Sequence, residues 1–213
     1  MNGNGMQQKF NTSNTLKPDG TYDIGAPTVL SLLLPDGKPQ QWDYVVKNDY
    51  MQGPAREKSC YDSIHTLIQD YAPLILQSSA VPIFFMTYSY RKEGANGLED
   101  LGNVAEFTNR LCKGYHAYAK ALPEILQPIQ KPRIAPVGMA FYTIHEQNPD
   151  MWNKLFHTED FHPSPHGSYL IGCTLYCTIF GLPPPREAEG DPETLWENAH
   201  VRVMQLKGED PLP

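Results

Sequence analysis

Two acidic residues and a histidine, Glu159, Asp160 and His162, lie close together in a proline-rich segment towards the carboxyl end of the chain. A carboxylate can accept the Nδ1–H of an imidazole and stabilise its protonated form, while Nε2 takes a proton from a nucleophile. The neighbouring prolines stiffen the loop and restrict the movement of such a base. The spacing therefore predicts an acid–base pair. The alternative is a helix N-terminus, with Ser164 or His166 near the first turn and the acidic side chains facing the helix dipole.

The residues upstream of this segment alternate between strand and helix patterns. Three β-branched or apolar runs have the length of strands: residues 42–46, 81–90 and 133–138. Between them, residues 59–80 and 98–122 carry apolar side chains three or four positions apart, which predicts two helices with one buried face each. Pro73 should kink or divide the first of these helices. Strands alternating with helices of this length predict an α/β domain built on a parallel sheet.

The carboxyl-terminal third has shorter helical patterns at residues 139–147 and 149–156. The loop that contains His162 follows and leads into a helix at residues 167–181, which ends at a glycine before three prolines. We expect the chain to have three parts. They are an irregular segment at 1–41, the α/β domain at 42–181, and a linker with a last helix near 193–206, within 182–213, that packs on the same domain.

Three segments directly follow the predicted strands: residues 47–50, 87–94 and 135–141. In open parallel sheets, ligands bind beyond the carboxyl ends of the strands. We therefore expect these segments and the loop that contains His162 to face one site.

The composition excludes several classes of protein. The 213 residues have a net charge of −7, with acidic and basic residues mixed along the chain, so nucleic acid is not an expected partner. No run approaches the roughly 18–20 apolar residues of a membrane span, so no membrane span is expected. The four cysteines are too scattered for a disulfide framework. Cys173 and Cys177, four residues apart on a predicted helix, are expected to be buried core residues.

The run EDFHPSPHGSYLIGCTLY at residues 159–176 resembles the carboxyl-terminal block of the SGNH (GDSL-type) esterase and lipase superfamily. In that block a DxxHP motif carries the catalytic aspartate and histidine ahead of a glycine-led helix. The run WDYVVKNDY at residues 42–50 resembles the strand-plus-GxND block of the same superfamily, and the similarity extends over about residues 41–181. It implies a three-layer α/β/α flavodoxin-like fold and hydrolysis of a small-molecule or carbohydrate ester through an acyl-enzyme, without a cofactor.

The resemblance implies roles for individual residues. His162 matches the general base, Glu159 occupies the position of the aspartate three residues earlier, and Asp160 is the competing orienting acid. Asn48 matches the asparagine whose side-chain NH₂ donates to the oxyanion, an interaction worth up to about 3–4 kcal/mol at comparable sites. Val46 replaces the glycine of this block. The alternative role for Asn48 is a turn after the strand.

The first block of the superfamily, a strand followed by a GDS or GNS turn with the nucleophilic serine, has no match ahead of residue 42. Ser13 and Ser31 are the serines there, and neither follows a strand in a glycine-flanked turn. Gly25 is the candidate for the oxyanion glycine of the second block. We expect the first strand and the nucleophile to be missing, because the chain is incomplete or because the protein has dispensed with them. We therefore expect little esterase activity, and the alternative function is a non-catalytic pseudoenzyme or a module that binds carbohydrate or another ligand.

Two other interpretations use the same polar and aromatic residues. Imidazole and carboxylate groups in this region could ligate a metal ion: His145, His157, His162, His166, Glu159 and Asp160. Their spacing matches no strong metal motif and the intervening prolines hinder convergence, so no metal is expected. Aromatic residues near the predicted site could stack on a sugar ring, although ordinary core packing is the favoured role: Tyr88, Tyr90, Phe141, Tyr142 and Trp152.

Overall fold

Three strands form a parallel sheet at positions close to those predicted. In this computed structural model, which describes residues 33, 35–38, 41–92, 99–157 and 162–184, the strands are β1 (Tyr44–Lys47), β2 (Val81–Phe85) and β3 (Arg133–Ala135). Their order is β1-β2-β3, and β1 pairs with β2 in parallel, with Tyr44 opposite Val81. In a flavodoxin-like sheet the last three strands also lie side by side in chain order. The predicted flavodoxin-like α/β fold is confirmed.

The helices alternate with the strands as predicted. In the described part of the chain they are α1 (Glu57–Thr66), a π-helical segment (Leu67–Tyr71), α2 (Ala72–Ser78), α3 (Val104–Ala121), α4 (Val137–Gln147), α5 (Pro149–Lys154) and α6 (Pro165–Phe180). Short 3-10 turns lie at Pro35–Gly37, Glu99–Leu101 and Pro128–Gln130. Residues 1–32, which concern the expected missing strand, and the helix predicted near 193–206 lie outside the described residues.

A π-helical segment interrupts the first long helix directly before Pro73, where a kink or a division was predicted. A proline has no N–H to donate within a helix, and its ring clashes with the carbonyl four residues earlier. The chain changes from α to π geometry over Leu67–Tyr71, directly before the proline, and α2 then begins with Pro73 in its first turn. Because a π turn is wider than an α turn, it accommodates the proline ring without ending the helix.

Strand β2 is shorter than the predicted run at 81–90. Its partner β3 ends at Ala135, because Pro136 has no N–H to continue the ladder. The N–H of Met86 donates to the Ala135 carbonyl at 3.0 Å, and the Met86 carbonyl then accepts from Gly138 N–H at 3.1 Å, at the start of α4. Residues 86–90 therefore leave the sheet, although all of them are buried. The prediction of a strand as far as residue 90 is wrong, because it relied on apolar character that a buried non-strand segment shares.

The second predicted helix, at 98–122, also begins later than expected. Gly102, with a positive φ of 77°, follows the 3-10 turn. Asn103 and Glu106 then form a reciprocal capping box: the Asn103 side chain accepts from Glu106 N–H, and the Glu106 carboxylate accepts from Asn103 N–H, each at 2.9 Å. This box satisfies the first N–H groups of the helix and sets its start at Val104.

The described residues divide into two compact units, one with the residues up to 84 and 117–133, the other with 85–116 and the residues from 134 onward. The core of the first unit includes Leu67, Ile75, Ile83, Phe84, Tyr118 and Leu122. The core of the second unit includes Met86, Leu111, Tyr115, Phe141 and Ile144. Cys173 and Cys177 are also buried there, which confirms their predicted core role. Within the described ranges, no helix combines the length and the apolar character needed to cross a membrane.

Candidate active site

Two adjacent polar residues at the carboxyl end of β1 differ sharply in burial. Asn48 is exposed, whereas Asp49 is 1% exposed. Successive side chains of an extended chain point to opposite sides, so sequence neighbours can lie in solvent and in the core. The Asn48 side-chain Nδ2 donates to the Asp49 main-chain oxygen at 3.3 Å. The amide of the candidate oxyanion donor is therefore accessible directly after the strand, and its catalytic role stays a prediction.

The Asp49 carboxylate accepts hydrogen bonds from two helices and from the next residue. Oδ2 accepts from the Ser63 hydroxyl at 2.6 Å and from the Tyr118 hydroxyl at 2.7 Å. Oδ1 accepts from the main-chain N–H of Tyr50 at 2.7 Å. A buried carboxylate is costly unless it is hydrogen-bonded in this way. Because Ser63 lies on α1 and Tyr118 on α3, the carboxylate ties the end of β1 to two helices.

The hydroxyl and thiol groups around Asp49 are held in their protonated forms. Burial raises the pKa of Tyr118 above its usual range, and the negative charge of Asp49 raises it further. Burial also raises the pKa of the Cys60 thiol, against the lowering effect of its hydrogen bond with Tyr118. The Tyr118 hydroxyl thus remains a hydrogen-bond donor to Asp49 at all ordinary pH values.

A lysine lies on the buried side of β1 close to the same residues. Lys47 is 8% exposed, and its ammonium nitrogen lies 3.0 Å from the centroid of the Tyr71 ring. This cation–π contact places the charge against an aromatic face that stays neutral, because burial and then the charge of Asp49 raise the pKa of Tyr71. The end of β1 therefore carries both a buried cation and a buried anion.

Sequence analysis did not identify the cluster of Asp49, Ser63 and Tyr118. Tyr118 belongs to the apolar face of the predicted helix at 98–122 and has the pattern of an ordinary core aromatic. A usable signal does exist, since a tyrosine hydroxyl on a buried face requires an acceptor. The alternation of β1 also puts Asp49 on the side opposite Asn48. The sequence pattern alone does not show that Asp49, Ser63 and Tyr118 are in contact.

The main chain at His162 and at Ser164 is hydrogen-bonded, and His162 itself is exposed. His157 N–H donates to the His162 carbonyl at 3.0 Å, and Ser164 N–H donates to the Leu155 carbonyl at 2.9 Å. Phe156 and Pro163 also form an antiparallel bridge. Hydrogen bonds therefore join the two ends of the segment between His157 and His162. Glu159 and Asp160 lie outside the described residues, so the choice between them as the orienting acid stays open.

Ser164 begins helix α6 and also secures the loop. Its hydroxyl accepts from Gly167 N–H at 3.3 Å as the N-cap and donates to the Lys154 carbonyl. This is the helix N-cap role that the sequence offered as the alternative for Ser164, and it places the helix start at Pro165 rather than 167. Gly167 is required by space, because a Cβ there would lie 2.2 Å from the Leu155 carbonyl oxygen. The glycine lets α6 approach the end of α5 and so helps to position His162.

Most of the candidate aromatic residues are core residues. Tyr88 stacks on Phe141 with ring centroids 4.1 Å apart, and Tyr90 contacts Phe107 at 5.6 Å. Trp152 is 5% exposed and packs edge-on against Phe156. These buried rings cannot stack on a sugar in solvent. Among the described residues, no group of three or more histidine, cysteine or acidic side chains has the arrangement of a metal site.

Comparisons with known proteins indicate the fold. No protein-family model matches the chain, and no curated protein matches its sequence. Among solved structures, the chain is similar to a DUF4886 family protein from Bacteroides uniformis, with 15% identity, a TM-score of 0.68, and coverage of 92% of this chain and 74% of that one. It is also similar to a presumed SGNH hydrolase from Slackia heliotrinireducens, with 22% identity, a TM-score of 0.51 and coverage of 70% of each chain. Likeness at these identities shows the fold alone, which is the α/β fold described above.

Proposed function

We propose that this protein is an SGNH-type ester hydrolase that works through an acyl-enzyme, with His162 as general base and Asn48 as oxyanion donor. The observation that carries the proposal is the exposed His162, whose main-chain carbonyl accepts from His157 N–H at 3.0 Å. A general base must reach its substrate and yet stay in place. The SGNH-like fold and the exposed Asn48 amide after β1 support the same proposal.

The chemistry follows from these groups. Nε2 of His162 takes the proton of a serine hydroxyl, whose oxygen bonds to the ester carbonyl carbon. The Asn48 side-chain N–H donates to the oxyanion that forms, and Glu159 or Asp160 holds the Nδ1–H of the imidazolium. The bond to the alcohol then breaks and the alcohol leaves with the proton from His162. Water hydrolyses the acyl-serine by the same steps, and the substrate is a small-molecule or carbohydrate ester.

The nucleophile is the part that the sequence does not supply, because the 213 residues contain no GDS or GNS run. Loss of one member of a catalytic triad lowers the rate by orders of magnitude, although an oxyanion site retains residual catalysis. We therefore propose that the 213-residue chain itself turns over little substrate, and that full activity belongs to a form that includes such a turn.

Hydrolysis of p-nitrophenyl acetate, combined with labelling by a fluorophosphonate probe for activated serines, tests this proposal. The 213-residue chain should give little turnover and no label, and a form extended upstream through a GDS or GNS turn should give both. In that form His162→Ala should lower turnover by roughly 10²–10⁴-fold, as expected for loss of a general base. His166→Ala, an exposed histidine of the same segment, is the matched control and should leave turnover unchanged.

Three results would contradict parts of this proposal. Equal turnover with and without His162 would reject the base. Turnover and labelling by the 213-residue chain would reject the missing nucleophile. An intact coding sequence with no such turn upstream would reject the hydrolase and favour a ligand-binding protein on the same fold. Comparison of Glu159→Gln with Asp160→Asn identifies the orienting acid, as the variant with the larger loss.

A further inference from the structure

We propose that Ser63 and Tyr118 are positioning residues that act through Asp49 on the Asn48 amide. These three buried residues, Asp49, Ser63 and Tyr118, are called the Asp49 anchor below. The inference rests on the proposed function, in which Asn48 donates to the oxyanion. It adds that two helices determine the orientation of this donor.

The hydrogen bonds of the anchor use both carboxylate oxygens. Oδ2 receives the hydroxyls of Ser63 and Tyr118 at 2.6 and 2.7 Å, and Oδ1 receives the N–H of Tyr50 at 2.7 Å. Bonds to an ionised acceptor are shorter and stronger than neutral ones. With both oxygens occupied by donors from three different segments, the carboxylate has a single favourable orientation.

This orientation is transmitted to Asn48 through the main chain of Asp49. The Asn48 Nδ2 donates to the Asp49 carbonyl oxygen at 3.3 Å, so the amide is oriented by the same residue that the two helices hold. The Tyr50 N–H that donates to Oδ1 belongs to the same peptide unit as that carbonyl, so this hydrogen bond orients the acceptor of the Asn48 amide directly. Asn48 itself is exposed, so the buried Asp49 anchor orients a side chain that is accessible to solvent.

A tight turn brings Gly53 close to the Asp49 carboxylate. Gly53 N–H donates to the Tyr50 carbonyl at 2.7 Å, which brings residue 53 back over the anchor. A Cβ at Gly53 would lie 3.1 Å from both Asp49 Oδ2 and the Tyr50 oxygen. A side chain at residue 53 would therefore press on the Asp49 carboxylate by a few tenths of an ångström.

A fixed donor matters because an oxyanion hole stabilises charge best when its dipoles need no reorganisation during the reaction. We expect Asn48 to keep its chemistry when an anchor hydroxyl is removed, while its orientation becomes less restricted. The anchor therefore makes a prediction about the Asn48 amide that is independent of turnover.

The test is ¹⁵N NMR of the Asn48 side-chain NH₂ in the 213-residue chain, with the resonance pair assigned by its disappearance in Asn48→Ala. Tyr118→Phe and Ser63→Ala should each shift this pair and lower its heteronuclear NOE, because the amide becomes mobile. Tyr61→Phe removes a hydroxyl from an exposed side chain of α1 and should leave the pair unchanged. If Tyr118→Phe does not fold, Ser63→Ala carries the test.

Asn48 resonances that stay unchanged in the folded anchor variants would overturn the proposal. A purely structural contribution of Ser63 and Tyr118 would lower the unfolding midpoint without altering the native Asn48 amide. This readout needs no substrate, so a negative esterase result affects the proposed function and leaves the anchor standing, whereas an unaltered amide rejects the anchor alone.

Discussion

Asn48 and Asp49 are neighbours that differ in burial. The motif comparison predicts that Asn48, the exposed member, is the group that meets a substrate. The buried member has no access to solvent, yet its carboxylate joins β1 to helices α1 and α3 through Ser63 and Tyr118. Asp49 therefore contributes rigidity to the end of β1, which the exposed Asn48 side chain cannot provide for itself.

Replacing Asp49 with alanine should destabilise the protein strongly. The Ser63 and Tyr118 hydroxyls would lose the carboxylate, and a buried donor without its acceptor costs about 1–3 kcal/mol. We expect the free energy of unfolding to fall by about 2–4 kcal/mol, measured by equilibrium unfolding in urea.

The matched control is another aspartate near the same helix. Asp62 pairs with Lys58 at 2.9 Å on the surface of α1, with side chains 42% and 87% exposed. Exposed pairs of this spacing contribute only about 0.3–0.5 kcal/mol, so Asp62→Ala should be nearly neutral. If Asp49→Ala and Asp62→Ala lowered the free energy of unfolding equally, the Asp49 hydrogen bonds would contribute no more to stability than an exposed ion pair.

Among the elements, helix α6 is one whose packing depends on a single residue, Gly167. Its first turn lies against the end of α5, where the Leu155 carbonyl accepts from Ser164 N–H. The absence of a side chain at residue 167 makes this approach possible. Within the motif HPSPHG, Ser164 is therefore the N-cap and Gly167 makes the close helix contact, so these two residues have structural roles at the start of α6.

Gly167→Ala and Gly172→Ala should have opposite effects on stability. At residue 167 the new Cβ would lie 2.2 Å from the Leu155 oxygen, and forced overpacking of this kind costs about 1–3 kcal/mol. Residue 172 lies in the same helix, and a Cβ there meets nothing within 4 Å. Alanine should therefore stabilise α6 at that position by about 0.5–1 kcal/mol, because glycine is a poor helix former.

Thermal or urea unfolding of the two glycine variants measures both effects. Equal shifts in the same direction would show that space at residue 167 does not determine the packing of α6. Gly167→Ala should also disturb the loop at His162, which NMR can detect as a change in the His162 ring resonances that Gly172→Ala does not produce.

Local signals predicted most element bounds, because they act within a few residues. Gly181 ends α6 with a φ of 71°, as expected from sequence, and a π-helical segment interrupts the first long helix directly before Pro73, where a kink or a division was predicted. The end of β2 was missed because it depends on Pro136, a residue of the partner strand region. The Asp49 anchor was missed for a similar reason, since Tyr118 lies 69 residues from Asp49 in the chain. Asn48 and His162 were identified by motif, and their joint action remains a proposal.

At the scale of the molecule, several phenol and thiol groups among the described residues have raised pKa values that favour their neutral forms. Burial raises the pKa of Cys60, Tyr71 and Tyr118 in the first unit and of Cys112 in the second. Their ordinary pKa values are 9.0 for the thiols and 10.0 for the phenols. In the unfolded chain these groups lose their protons near those values, whereas in the folded protein they keep them to higher pH.

Stability should therefore decrease as the pH rises above about 9. The folded state binds more protons than the unfolded state in this range, so the free energy of unfolding has a negative slope against pH, while below pH 9 the contribution is fully present. Tyr118 alone contributes up to about 1.4 kcal/mol per pH unit above 10, its unfolded value. Urea unfolding at steps from pH 7 to 12 should show a plateau followed by this decline.

Tyr118→Phe removes one titrating group and should make the decline shallower by about one proton, relative to a Tyr61→Phe control with its exposed side chain. A decline that is equally steep in both variants would show that Tyr118 ionises alike in the folded and unfolded chains.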